Sequence, residues 1–145
     1  MLRHASLIPL SHQHQHGLAL CVTIERTLSP ETAGDLARRV QNMFELELRN
    51  HFDVEERILF PAILAGLGPT PLVDQLVTEH RRLEKLIENT KTERPAALRE
   101  FAAALSGHIR REERELFEDI QQRLPTETME QLGRSIDSAV VRVCL

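Results

Sequence analysis

Apolar residues recur at three- and four-residue intervals along most of the chain, and no stretch alternates with the two-residue period of a half-buried strand. Breaks in this pattern divide it into helical stretches. Ser11 reads as the N-cap of a first helix running to about Leu28, with Leu18, Cys21 and Leu28 sharing a stripe with His14. Ser29-Pro30 interrupts the pattern, and Gly34-Asp35 offers a second start signal, so the second helix begins at Pro30 or near Asp35. It continues through ARRVQNMFELELRNHFDVEERILFPAILAG, where Pro61 should kink or shorten it and Gly66-Leu67-Gly68-Pro69 end it. Thr70-Pro71 caps and opens a third helix through LVDQLVTEHRRLEKLIENT, and Pro95 opens a fourth that stops at Pro125. A short fifth helix is expected from Thr126 to about Ala139. Four amphipathic helices with short connections predict an all-α fold, an antiparallel up-down four-helix bundle. The short extra C-terminal helix would pack outside it or serve in association.

Composition narrows the class. A chain of 145 residues, 41% of them hydrophobic, is the size of one domain spanning 1–145 with a substantial core. The aromatics are five Phe, with no Trp or Tyr, and the net charge is -4, so stacking on bases and attraction to phosphate backbones are not expected. No apolar run approaches the ~20 residues that span a bilayer. The opening MLRHASLIPLSHQHQHG lacks the apolar core and cleavage pattern of a signal peptide. The expectation is a cytoplasmic monomer or homodimer with neither a nucleic-acid nor a membrane partner. Cys21 and Cys144 form no CxxC, and without an export signal reduced thiols are expected rather than a disulfide.

Candidate chemistry comes from an internal echo. HFDVEERILF (51–60) and HIRREERELF (108–117) match at six of ten positions: His, Glu, Glu, Arg, Leu and Phe. Gln13-His14 and Glu79-His80 form a second echo in the helices that precede them. Each half therefore reads His, turn, His-x-x-x-Glu, as two helical hairpins related by an approximate two-fold would. Residues i and i+4 lie about 40° apart on a helix, so His51 shares a face with Glu55, and His108 with Glu112. At 1.5 Å per residue, His80 to the third helix's end is ~16 Å and Pro95 to His108 is ~20 Å, which brings the two to about one level.

Four imidazoles and two carboxylates at one level inside a bundle are costly to bury unless they bind a cation. Imidazole with carboxylate suits iron, zinc or manganese, and bridging carboxylates are usual in helical di-metal sites. The candidate ligands are His14, His51, Glu55, His80, His108 and Glu112. His14 is chosen over His16, whose stripe of Leu20, Thr23 and Thr27 is less apolar. Glu56 and Glu113 lie 100° round from their neighbours, which places them at the surface or in support of the ligands. Glu84, one turn beyond His80, is expected to be solvated. Gly107 costs about 1 kcal/mol against Ala inside a helix, and close helix packing beside the site would account for it.

LSHQHQHGLAL, HFDVEERILFPAI, TEHRRLEKL and HIRREERELF together resemble the hemerythrin, or HHE cation-binding, family over about residues 7–120. The resemblance implies a four-helix bundle around two non-haem iron ions bridged by oxygen. His14, His51, His80 and His108 would supply nitrogen, and Glu55 and Glu112 would bridge. The oxygen-carrying members have a fifth histidine one turn before the helix-three histidine, and here that position is Leu76. The chain is closer to bacterial members. Binding or sensing of oxygen, nitric oxide, peroxide or iron is the expected function, with a di-iron oxidase, peroxidase or nitric-oxide-handling enzyme as the alternative. A third reading is a helical interaction module whose histidines are incidental or hold zinc, although His-Glu-x-x-His and cysteine clusters are missing.

Overall fold

The computed structural model describes residues 2–143, and every regular element among them is helical. A 3-10 turn, Ala5–Leu7, leads into α1 (Ile8–Thr27). There follow α2 (33–67), α3 (Pro71–Thr90), α4 (95–123) and α5 (Thr126–Ala139). No helix among the described residues is long and apolar enough to cross a membrane.

Several boundaries differ from the sequence reading, each for a local reason. α1 starts ahead of Ser11 because Pro9 occupies its first turn, where an N–H is not needed. Ser11 then lies inside the helix, and its hydroxyl donates to Glu113 at 2.8 Å. α2 starts at Ala33, between the two expected starts, after a turn in which Ser29 N–H donates to the Thr32 hydroxyl at 2.9 Å. Pro61 does not end α2, which continues to Leu67. A π-helical turn, Glu55–Leu59, comes just before it, and Phe60 N–H reaches back five residues to the Glu55 carbonyl. This register shift sits where the ordinary bond from residue 61 cannot form. Gly68, at φ 78, closes α2 in a conformation that side chains rarely adopt. Thr70 does not cap α3; its hydroxyl donates to the Gly68 carbonyl at 3.0 Å.

Phe44–Leu48 and Glu112–Phe117 also wind as π-helix. Each of these three segments carries a buried glutamate: Glu47, Glu55 and Glu112. Such widened turns re-aim side chains and recur at functional sites.

Apolar side chains gather in two clusters. One contains Leu20, Ile24, Leu83, Leu98 and Phe101; the other contains Leu10, Ile63, Leu76, Phe117 and Ile120. α1 and α3 run from the second cluster to the first, while α2 and α4 run from the first to the second. The buried histidines and glutamates lie between them along each helix. α1 and α4 approach closely at Gly17, where an added Cβ would come within 3.0 Å of Ile109 Cδ1.

α5 covers the second cluster with Met129, Leu132 and Ile136. Each such side chain contributes about 1.5–3 kcal/mol on burial, enough to hold a helix too short to persist alone. Ser6 fastens its first half, donating to the Met129 carbonyl at 2.6 Å. A Cβ at Gly133 would collide with the same serine. Cys21 is a buried free thiol in the first cluster, pushed up to about 12 chiefly by burial. Cys144, the other cysteine of the sequence reading, lies outside the described residues.

Candidate metal centre

The six histidines and glutamates proposed from sequence converge at one level. They form two groups, His14–His51–Glu55–Glu112 and Glu55–His80–His108–Glu112, with one ligand-type atom per residue all within 4.8 Å inside each group. All six are buried. The imidazoles pair accordingly, His14 with His51 at a ring separation of 4.5 Å and His80 with His108 at 4.9 Å.

Both glutamates belong to both groups, and the distances show how. Glu55 Oε1 lies 3.2 Å from His51 Nε2 and 3.1 Å from His80 Nε2, one imidazole from each group. Glu112 Oε2 lies 2.7 Å from His108 Nε2 and 3.9 Å from His14 Nε2, again one from each. Each carboxylate thus stands between the two groups, as a bridge between two cations requires.

The outer ring nitrogens are held in a closed cycle. Gln13 of α1 meets His51 of α2 at 2.8 Å. Glu56 of α2 meets His80 of α3 at 2.7 Å. Glu79 of α3 meets His108 of α4 at 2.8 Å. Glu113 of α4 returns to His14 of α1 at 2.5 Å. All four contacts are at Nδ1. A proton held there leaves Nε2 as a lone pair pointing inward, the tautomer a metal needs.

With lone pairs facing inward, the centre lacks donors. The inner nitrogens of His14, His51 and His108, Oε2 of Glu55 and both oxygens of Glu112 are buried without a hydrogen-bond partner. His108 Nε2 and Glu112 Oε2 are 2.7 Å apart yet make no aligned hydrogen bond. Unpaired buried polar atoms each cost on the order of 1–3 kcal/mol. Divalent or trivalent cations would satisfy all of them at once, so the residues present fit a pair of metal ions.

Electrostatics agree. Burial, aided by His51, pushes His14 down to about 4 against the pull of Glu113. Burial also lowers His108, with Glu79 opposing. Both imidazoles are neutral at pH 7 and free to coordinate. Phenylalanines keep water away: Phe52 stacks on His80 at 4.1 Å, and Phe60 flanks it at 5.9 Å. Phe117 stacks on His14 at 5.5 Å. Phe60 and Phe117 are the repeated Phe of the sequence echo.

The remaining candidates separate clearly. His16 stays outside the cluster and meets the buried Glu47 at 2.9 Å. Glu84 pairs with Arg81 at 3.4 Å and is not a member of either group. Gly107 does not mark close packing, since an added Cβ there would have nothing within 4 Å. Glu56 and Glu113 support imidazoles. Gln13, Glu79 and Glu47 take their roles from contacts between helices, which helical periodicity does not assign. A signal was available for the first two, because each directly precedes a cluster histidine; Glu47 precedes His51 by one helical turn.

The family described as "Hemerythrin HHE cation binding domain" matches residues 9–120. A DNA nickase of Nostoc sp. (strain PCC 7120) is 29% identical over 105 residues, covering 67% of this chain and 29% of the nickase. The chain therefore spans under a third of that relative's length. No solved structure matched. The family match takes in α1 through most of α4, and with them all six converging residues, so the chain belongs to the hemerythrin HHE cation-binding domain family.

Proposed function

We propose that the protein is a single antiparallel four-helix bundle, with α5 as an added helix, holding two non-haem iron ions and binding or sensing a small ligand such as oxygen, nitric oxide or peroxide. The carrying observation is that Glu55 and Glu112 each serve both groups of converging side chains. His14 and His51 would hold one ion, His80 and His108 the other. The alternating order in which successive helices cross the two apolar clusters supports the up-down arrangement.

Bridged iron, when bound, supplies reversible redox and ligand-binding chemistry. The chain contributes orientation and dryness. Gln13, Glu56, Glu79 and Glu113 fix the imidazoles, and Phe52, Phe60 and Phe117 exclude water. Leu76, fully buried one turn before His80, leaves α3 with one imidazole in the centre. With no second imidazole from α3, iron held by His80 and His108 would have a ligand place for an exogenous group. The nicking of DNA named for the Nostoc relative is that of a chain of which this one covers 29%.

Anaerobic loading with Fe(II), then air and azide, tests the proposal: azide-dependent near-ultraviolet absorbance is expected. Retention of less than about half an iron per chain would refute it, since a preformed all-protein site should bind metal stoichiometrically. Sustained turnover of peroxide or nitric oxide above that of Glu55→Ala would reassign the protein as an enzyme.

A further inference from the structure

The cycle of supports is nearly two-fold symmetric, and the departure falls at one residue. Glu113 to His14 corresponds to Glu56 to His80. Glu79 to His108 corresponds to Gln13 to His51. Three supports are carboxylates and the fourth is an amide. The His80–His108 pair is therefore backed by two carboxylates, and the His14–His51 pair by one.

We infer that Gln13 makes the two metal positions inequivalent, so that the His80–His108 position favours the more highly charged ion and the His14–His51 position is the more readily reduced. This rests on the di-iron reading above. A hydrogen bond from Nδ1 to a carboxylate is charge-assisted, about twice as strong as one to a neutral acceptor, and it raises the basicity of Nε2. Cationic neighbours do not restore the balance, because each carboxylate has one. Arg3 meets Glu113 at 3.1 Å, Arg111 meets Glu79 at 3.3 Å, and Arg81 pairs with Glu56. Among the groups that support the imidazoles, the difference between the positions is the carboxylate count.

The surroundings of Gln13 explain why the symmetric glutamate does not stand there. Its Nε2 donates to Asn50 Oδ1 and to the Val141 carbonyl, both at 3.3 Å. Asn50 is itself fixed, accepting from Val141 N–H at 2.9 Å and donating to the Ala139 carbonyl at 2.9 Å. A carboxylate at position 13 would turn an anionic oxygen toward two acceptors. Only a side chain that both accepts and donates can serve His51 and the segment after α5 together. Gln13 is a positioning residue linking that segment to one half of the centre.

Mössbauer spectroscopy of the full chain loaded with iron-57, with iron counted per chain, tests this. The wild-type protein should show two distinct ferric quadrupole doublets of equal area. Glu79→Gln gives each position one carboxylate and one amide, so the doublets should converge while the iron content holds. Gln13→Glu gives each position two carboxylates and should converge them from the other side. It also serves if Glu79→Gln fails to fold by circular dichroism. A single doublet in the wild type, or doublets as far apart in the folded, fully loaded variants as in the wild type, overturns the inference and leaves the di-iron reading intact. A wild-type chain that takes up no iron overturns both, and the iron count separates the two cases.

Discussion

Nε2 of His108 and Oε2 of Glu112 stand 2.7 Å apart, both buried and without hydrogen-bond alignment. Two lone-pair atoms this close repel unless something positive lies between them. The fold has therefore built a feature that costs stability when no cation is bound.

Metal should consequently stabilise the protein strongly. At one hundred times the dissociation constant the gain is about 3 kcal/mol per site, read as a rise in Tm that a chelator reverses. Glu112→Leu should abolish that metal-dependent rise. In metal-free buffer the same variant should be as stable as the wild type or more so, by on the order of 1 kcal/mol, because a buried charge is replaced by apolar volume. A metal-free variant that is several kcal/mol less stable would contradict this.

Acid should weaken the metal-free fold through His14. Its folded pKa, about 4, lies below the ordinary 6.5, so between these values the unfolded chain binds more protons than the native one. The stability is present above the ordinary value and is lost as pH falls toward the folded one. From pH 7 to pH 5 the loss attributable to His14 is about 2 kcal/mol. Urea denaturation at the two pH values measures it. His14→Asn should flatten the dependence by a similar amount, and an unchanged slope would show that His14 titrates normally.

Gly107→Ala should stabilise. Position 107 is helical with open space where the Cβ would sit. The gain is about 1 kcal/mol, a few degrees in Tm for a chain of this size, with metal content unchanged. A fall in Tm would mean that Gly107 serves the backbone in some other way.

Phe52→Ala should destabilise by about 3–5 kcal/mol, from the loss of a buried ring. It should also speed metal loss, because Phe52 stacks on His80 and meets His51 and His108 edge-on. Phe52→Leu keeps the site dry and should retain metal at close to the wild-type rate. Release to a colorimetric chelator distinguishes them, and equal rates for the two variants would show that the ring does not shield the centre.

Much of this was legible in the chain. Helical periodicity and proline at helix starts placed five helices. The repeated His-x-x-x-Glu placed four converging residues, because i and i+4 share a face whatever surrounds them, and the histidine echoed in each preceding helix added His14 and His80. His14 could be separated from His16 by the apolar stripe it shares. What only the tertiary structure decided lies between helices. The cycle from Gln13 to His51, Glu56 to His80, Glu79 to His108 and Glu113 to His14 joins helices whose facing is set by packing, not by local propensity. So do the partnering of Glu47 with His16 and the hold of the segment after α5 on Gln13. Local sequence determines which face a side chain occupies, but which neighbour it meets depends on how the helices are rotated and tilted against one another.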